Sequence, residues 1–370
     1  MNGSAPTLIV LERLRKEFNG LVAVEGLDLH VAEGEFLCFL GPSGCGKTTT
    51  LRMIAGLETP TAGEIYLRGQ RITALPPQER NVGFVFQNYA LFWHMTVYDN
   101  LAFGLRVRKL PPSQVDRRVR DLAASLELSE VIQQRARRLD LSAMQRVALA
   151  RTLATDPQVL LLDEPLNNFR PGLREVMRGE LKRWQIMLGR TMVYVTHDQE
   201  EAMTLGDRIL VMNAGRCEQL DTPRQVYHSP VNLFVAGFIG RPPMNFIEVE
   251  YRPEGERAFL VGEHLRWEIT PRRGEIESKI ASPQLVLGVR PEQVLVVDGQ
   301  QPSPAGTVQA VVDLIQPLAR KKIVDLRIDG GLIKAIVPAL HPLAAGDRLQ
   351  ITFDLRHLHL FDRASGRAIL

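Results

Sequence analysis

Residues 41–48 read Gly41-Pro42-Ser43-Gly44-Cys45-Gly46-Lys47-Thr48 and match the pattern G-x-x-x-x-G-K-[ST]. The apolar run 36–40 before them predicts a buried strand, and residues 49–54 after them predict a helix, which is the setting that this pattern requires. Glycines let backbone N–H groups point at phosphate oxygens, and the N-terminus of the helix adds a positive dipole end. Lys47 is expected to reach the β- and γ-phosphates and Thr48 to bind Mg²⁺. The stretch predicts an α/β phosphate-loop protein that binds a nucleoside triphosphate.

Composition restricts the class of protein. The 370 residues are enough for two domains, and 24% charged with 45% hydrophobic residues is ordinary for a soluble globular chain. The net charge of +3 is spread along the sequence, whereas nucleic-acid binding needs a clustered basic footprint, so no nucleic-acid partner is expected. Cys38, Cys45 and Cys217 are odd in number and widely spaced, which argues against a disulfide framework and favours a reducing compartment.

Membrane-spanning and secretory signals are not predicted. No apolar run approaches the ~18 residues of a membrane span. The N-terminus lacks a charged region followed by an apolar one, so we expect no signal peptide. Residues 7–11 predict only a short edge strand. Any membrane role must then come through a partner.

The first 240 residues fall into three segments with different sequence patterns. Residues 1 to about 86 alternate strands and turns, and residues from about 88 to 155 predict a charged helical subdomain that includes a helix start at Pro111-Pro112-Ser113. Residues 156–240 return to α/β alternation, with an apolar strand at 159–162 typical of a parallel sheet. One later helix carries an expected apolar stripe, formed by Leu173, Val176, Leu181, Trp184 and Leu188.

A second domain, 241–370, is predicted after Gly240-Arg-Pro-Pro243. Short alternating strands with few helices predict a small all-β barrel. Asp329-Gly330-Gly331 predicts a hairpin turn between two of them. The predicted strands cover residues 285–289, 307–314, 323–328, 332–337 and 349–353.

Polar residues follow the predicted strands of the first domain. Asp163 and Glu164 come directly after the strand 159–162, where an Asp can hold Mg²⁺ and a Glu can polarise the attacking water. Gln87 follows the strand 82–86, and His197 follows the strand 191–195, where it can hydrogen-bond a γ-phosphate. Phe18 is either a base-stacking aromatic residue or a core residue. Together with the 41–48 loop these residues predict a nucleotide-hydrolysing site.

These residues together resemble the ATP-binding subunit of ABC transporters, over essentially the whole chain. Residues 1–240 are similar to the nucleotide-binding domain, and residues 241–370 to the regulatory OB-like (TOBE/MOP-type) barrel of the importer subfamily for maltose, glycerol-3-phosphate, polyamines, sulfate and iron. The most characteristic segments are Phe84–Phe92, Val195–Met203 and Gly288–Glu292. Asn232–Gly240 with Met244-Asn-Phe246 looks most like the carbohydrate-import branch.

The resemblance implies roles for the site residues. Phe18 would stack on adenine, Ser43 to Thr49 would hold the phosphates, and Gln87 and Asp163 would serve Mg²⁺ and water. Glu164 would be the general base and His197 the γ-phosphate contact. Tyr89 to Met95 would meet the coupling helix of a transmembrane permease. It also implies a second ATPase subunit, indirectly a solute-binding protein, and a peripheral location at the cytoplasmic face of the cell membrane.

Two segments depart from the family pattern. The signature Leu-Ser-Gly-Gly-Gln, supplied to the γ-phosphate by a second subunit, is replaced by Leu141-Ser142-Ala143-Met144-Gln145. The segment is about two residues short, which would rotate a helical start by roughly 200° and could move Ser142 away from the phosphate. Arg170 stands where the family has an Asp. Two readings remain open: an ATPase that energises a solute importer, and a hydrolysis-impaired regulatory or partner subunit, for example one that pairs with an intact paralogue.

Overall fold

The computed structural model describes residues 6–263, 266–297, 307–329, 331–354 and 357–370. The chain divides into two compact units, Met1–Pro223 and Arg224–Leu370. This division lies upstream of the domain boundary predicted at residue 240, and the boundary stays a prediction.

The first unit is built from two sheets and six helices in its described part. Its strands are β1 (Thr7–Phe18), β2 (Leu21–Ala32), β3 (Phe36–Leu40), β4 (Ala62–Leu67), β5 (Gln70–Arg71), β6 (Val82–Val85), β7 (Val159–Asp163), β8 (Thr191–Thr196), β9 (Arg208–Asn213) and β10 (Arg216–Asp221). Its helices are α1 (Lys47–Ala55), α2 (Val97–Val107), α3 (Pro112–Ser125), α4 (Leu141–Ala154), α5 (Pro171–Leu188) and α6 (Gln199–Leu205).

The central sheet places the candidate site. Its strand order is β10-β9-β3-β8-β7-β6, with β9, β3, β8, β7 and β6 parallel and β10 antiparallel at one edge. β3, β7 and β8 are almost wholly buried, as expected for strands covered on both faces. Because parallel strands end at the same edge, the segments that follow β3, β6, β7 and β8 meet there.

The second sheet is antiparallel, with the order β2-β1-β4-β5. The prediction of a short edge strand at residues 7–11 is wrong: β1 runs on to Phe18 and pairs with β2 on one side and β4 on the other. Leu8, Ile9, Leu11 and Leu14 are buried in a cluster shared with α1 and the central sheet. This burial accounts for β1 as far as Leu14, and pairing with β2 continues the strand to Phe18.

The helical segment follows the sequence pattern closely. The helix start predicted at Pro111-Pro112-Ser113 is confirmed, since α3 begins at Pro112, where a missing N–H costs nothing.

The predicted apolar stripe of α5 is partly wrong. Leu181 and Trp184 are buried, but Leu173 and Val176 are 38% and 53% exposed, and Met177 takes the buried position.

The second unit begins with α7 (Pro223–His228) and α8 (Leu233–Phe238) and continues as β-structure. Its two five-stranded sheets have the orders β13-β12-β11-β14-β20 and β15-β19-β16-β17-β18 and share one buried cluster, which confirms the predicted β-rich fold. Gly330 of the predicted hairpin turn lies outside the described residues. The strands are β11 (Asn245–Glu254), β12 (Arg257–Val261), β13 (Arg266–Glu268), β14 (Gln284–Val289), β15 (Val294–Val297), β16 (Val308–Leu318), β17 (Lys321–Ile328), β18 (Gly331–Pro338), β19 (Arg348–Phe353) and β20 (His359–Asp362), and the remaining helix is α9 (Arg273–Glu277).

Candidate functional site

The loop between β3 and α1 has the backbone that the glycines of the 41–48 pattern require. Gly46 adopts φ 101° as the N-cap residue of α1, and a Cβ there would lie 2.3 Å from the carbonyl oxygen of Ala23. A Cβ on Gly41 would lie 2.3 Å from the carbonyl oxygen of Met212. Only glycine fits these two positions, since one has a left-handed backbone and both closely approach neighbouring chain. The loop is therefore fixed at both ends, and its middle residues, Ser43 and Gly44, are exposed.

Lys47 is buried at the start of α1. Its ammonium donates hydrogen bonds to the carbonyl oxygens of Gly41 and Pro42, both at 2.8 Å, and lies 3.6 Å from Cys45 Sγ. These bonds hold a positive charge within the concave face of the loop. Cys45 is buried within the loop and, like Cys38, is a free thiol.

Thr48 joins the loop to the end of β7. Its hydroxyl donates a hydrogen bond to Asp163 Oδ1 at 2.9 Å. Burial raises the pKa of the Asp163 carboxyl above its ordinary value, the Thr48 hydroxyl opposes this rise, and the charge of Glu164 adds to it. A hydroxyl and a carboxylate 115 residues apart in sequence thus meet at the loop, and both are oxygen donors of the kind that Mg²⁺ prefers.

Glu164 lies directly beside His197. The distance from Glu164 Oε1 to His197 Nδ1 is 3.4 Å, and the Glu164 amide donates to the carbonyl oxygen of Val195 in β8. Glu164 has φ 45°, a left-handed conformation that is uncommon outside glycine and that clusters at functional sites. The Asn167 side-chain amide donates to Glu164 Oε2. The Glu164 carboxylate is therefore held from two sides.

Gln87 and Asp163 line one cavity of about 370 Å³, together with Phe86, Asn88 and Asn168. β6 ends at Val85, so Gln87 lies in the turn that follows the strand and not at its end. The Asn168 side chain donates to the Gln87 carbonyl oxygen at 3.1 Å. The structure thus brings Gln87 to the same side of the sheet as Asp163.

Phe18 and Ser142 lie outside the group of residues that meets at the edge of the central sheet. Phe18 is 41% exposed at the end of β1, with the Lys16 ammonium 4.7 Å from its ring centroid, so it is not a core residue. Ser142 lies in the first turn of α4, and its hydroxyl contacts Met177 Sδ in α5 at 3.5 Å rather than the 41–48 loop of the same chain. Asp140 caps that helix by accepting a hydrogen bond from the Ala143 amide at 2.7 Å.

Sequence reasoning missed the two asparagines that follow the Asp-Glu-Pro run. The family pattern draws attention only to Arg170 in this segment, yet Asn167 contacts Glu164 and Asn168 contacts Gln87. Their position directly after the carboxylates at a strand end was the available signal. Arg170 is exposed and precedes α5 as its N-cap residue.

None of the helices within the described residues is long and apolar enough to cross a membrane.

Three family profiles match the chain: ABC transporter at residues 24–167, MalK OB fold domain at 240–294 and TOBE domain at 287–361. The first covers the loop, Gln87 and the Asp163-Glu164 pair, and the other two lie in the second unit.

Relatives match over nearly the full length of the chain. The trehalose/maltose import ATP-binding protein MalK of Thermococcus litoralis is 43% identical, covering 96% of this chain and 97% of the relative. The sn-glycerol-3-phosphate import ATP-binding protein UgpC of Cupriavidus necator is 41% identical over 97% and 98%. The solved structure of cbiO1 from Clostridium perfringens, part of the ABC transporter complex cbiONQ, is 27% identical with a TM-score of 0.56, covering 60% of this chain and 90% of that one. The chain therefore belongs to the ABC transporter family, as an ATP-binding subunit and ATPase of its importer branch.

Proposed function

We propose that this chain hydrolyses Mg-ATP at the edge of its central sheet to energise the import of a sugar or a related small solute. One observation carries the proposal: the 2.9 Å bond from Thr48 to Asp163 joins the phosphate loop to the carboxylate pair, and Glu164 of that pair lies 3.4 Å from His197. The loop, a general-base candidate and a phosphate-contact candidate thus share one edge of the sheet.

The residues present suit a magnesium ion. The Thr48 hydroxyl, the Asp163 carboxylate and the Gln87 amide would hold it, and all three offer oxygen ligands. When bound, the ion neutralises charge on the β- and γ-phosphates. Because burial disfavours the charge on Asp163, a cation at this position also relieves the cost of the buried carboxylate.

The chain's own groups then have distinct tasks. Lys47 exchanges its bonds to the Gly41 and Pro42 carbonyl oxygens for bonds to phosphate oxygens. Glu164 accepts a proton from the attacking water, and its contacts with Asn167 and His197 orient the carboxylate for this. His197 contacts the γ-phosphate, and Phe18, exposed at the tip of its hairpin, stacks on the adenine.

We assign a permease to one surface segment of this chain and a second ATPase subunit to its nucleotide site. The segment Tyr89–Met95 carries the exposed Trp93 and follows the Gln87 turn, which suits it to a coupling helix of a transmembrane permease. Such docking locates the subunit peripherally at the cytoplasmic face of the membrane. A second ATPase subunit completes the site, and a solute-binding protein acts through the permease. The relatives' descriptions as import ATP-binding proteins support this assignment.

The alternative of a hydrolysis-impaired subunit gains no support from the relatives. It originates in the short signature segment, where Ser142 contacts Met177 and Asp140 occupies the start of α4. Inserting Gly-Gly between Ser142 and Ala143 tests it directly. Turnover by the unmodified chain that the insertion does not increase would remove this alternative.

The experiment is steady-state hydrolysis of Mg-ATP by the full chain and by Glu164→Gln, with the exposed Glu175→Gln as the matched control. We expect Glu164→Gln to lower kcat by about 10²-fold or more while ATP still binds, and Glu175→Gln to change nothing. Equal turnover in the unmodified chain and Glu164→Gln would refute the assignment of the general base.

A further inference from the structure

We propose that Arg174, in the first turn of α5, is a positioning residue that fixes His197 relative to Glu164. This rests on the function proposed above, in which His197 contacts the γ-phosphate and Glu164 activates water. Among the described residues, Arg174 forms no hydrogen bond or ion pair with either side chain. It acts through the two segments that carry them.

One end of the connection is the segment after His197. Arg174 Nη1 donates to Asp198 Oδ2 at 3.2 Å, and Asp198 is the residue that directly follows His197. Asp198 is itself fixed, because its amide donates to the Thr196 hydroxyl and its other oxygen accepts from the Glu200 amide, both at 2.9 Å. The guanidinium therefore ties the backbone at His197 to α5.

The other end is the segment after Glu164. Arg174 Nη2 donates to the carbonyl oxygens of Asn167 and Phe169, at 3.4 and 3.3 Å. Asn167 in turn contacts the Glu164 carboxylate through its side-chain amide. Together with the contact between Glu164 and His197, these bonds close a ring that passes through Glu164, His197, Asp198, Arg174 and Asn167.

The charges and the burial around position 174 favour an arginine there over other residues. Asp198 is 9% exposed, and Arg174 Nε also lies 3.8 Å from Oε1 of the buried Glu201. Two carboxylates and two carbonyl oxygens thus surround one guanidinium, whose five donors are arranged in a planar fork. A lysine can pair with Asp198 but cannot reach both carbonyl oxygens in the same geometry.

The test compares Arg174→Met with Arg178→Met in the full chain. Arg178 is the matched control, one turn along α5, where it pairs with the exposed Glu200 at 3.2 Å. For Arg174→Met we expect kcat to fall by roughly 10- to 100-fold, because small displacements of catalytic groups have effects of this size. Arg174→Lys should recover part of the loss, and Arg178→Met should keep the original kcat.

A second readout separates positioning from general destabilisation. The Kd values of ATP and ADP are measured for His197→Ala, Arg174→Met and Arg178→Met with a fluorescent-nucleotide competition assay. We expect the first two to weaken ATP binding by about fivefold or more while ADP binding is unchanged, since only ATP carries the γ-phosphate.

Each outcome decides something. If His197→Ala leaves the affinity for ATP unchanged, the proposed role of His197 fails. If His197→Ala weakens ATP binding but Arg174→Met behaves as Arg178→Met does, the positioning role of Arg174 is refuted while the proposed function stands. Should Arg174→Met not fold, Arg174→Lys and Asp198→Asn take its place, and normal kcat in both overturns the inference.

Discussion

The N-termini of α1 and α4 offer the same kind of backbone N–H groups, but only α4 begins with a side chain that caps them. α1 starts at Gly46, which has no side chain with which to cap the helix, and the exposed Ser43 and Gly44 lie in front of it. α4 starts at Asp140, whose carboxylate accepts a hydrogen bond from the Ala143 amide. Every α-helix begins with unpaired N–H groups and a positive dipole end. In α1 these groups have no side-chain cap, whereas in α4 the Asp140 carboxylate accepts a hydrogen bond from one of them, the Ala143 amide, and places a negative charge at the helix start.

The difference shows that a helix N-terminus can serve as a phosphate site only where no neighbouring side chain already caps its N–H groups. Gly46 is required by the approach of the Ala23 carbonyl, and Lys47 adds a cation to the same loop. At α4 the carboxylate of Asp140 already occupies the favourable position for an anion, and the nearby Ser142 hydroxyl contacts Met177. Substitutions at four positions would break or sharpen this contrast.

The largest effect is expected for Gly46→Ala. The new Cβ would lie 2.3 Å from the Ala23 carbonyl oxygen at a φ of 101°, so we expect a loss of about 4 kcal/mol in the free energy of unfolding, from overpacking and backbone strain together. Urea unfolding of the full chain measures it. Gly34→Ala is the matched control, because Gly34 has φ 78° but nothing within 4 Å of its Cβ position. Equal losses in the two variants would show that close approach does not determine this helix start.

Lys47→Ala is expected to have the next largest effect. Removing the ammonium takes the charge-assisted bonds to phosphate away, and the Kd of ATP should rise by roughly 100-fold. Isothermal titration of the full chain measures this, with the exposed Lys109→Ala as the control. An unchanged Kd would mean that the loop backbone alone supplies the affinity at α1.

At α4 the expected effect is on stability. Asp140→Ala removes the cap and should lower the free energy of unfolding by about 1 kcal/mol, while Asp140→Asn keeps a capping oxygen and should stay within about 0.5 kcal/mol of the original chain. Thermal or urea unfolding of the three proteins gives the comparison. If Asp140→Asn were as destabilised as Asp140→Ala, the carboxylate charge, and not the hydrogen bond, would stabilise α4.

Asp163→Asn should have the smallest effect, and it depends on pH. Burial raises the pKa of Asp163 above 3.8, so this carboxyl favours the folded state fully only below that value, and its contribution is lost as the pH rises through the folded pKa. The substitution should therefore raise the Tm by about 2 °C at pH 8, with a smaller gain at pH 4.5. The exposed Asp121→Asn should show no such trend. A gain that grows as the pH falls would contradict the sign.

Much of the site could be predicted because its signals are local. The loop 41–48, the predicted apolar strands 159–162 and 191–195 and the polar residues that follow them are visible as short patterns, and parallel strands must end at one edge of a sheet. The exposure of Leu173 and Val176 could not be predicted in this way. Helical spacing assigns residues to a face, but which face is covered depends on the elements packed against α5.

What the sequence by itself determined is the chemistry: a glycine loop with Lys47 and Thr48, the Asp163-Glu164 pair, Gln87 and His197, each fixed by residue type and by position after a strand. Only the tertiary structure decided how these groups are held. The Asn167 and Arg174 contacts, the Asp140 cap and the direction of Ser142 join segments that are separate in sequence or depend on local backbone geometry. Hydrogen bonds and ion pairs need specific distances and angles, and only the folded chain sets these.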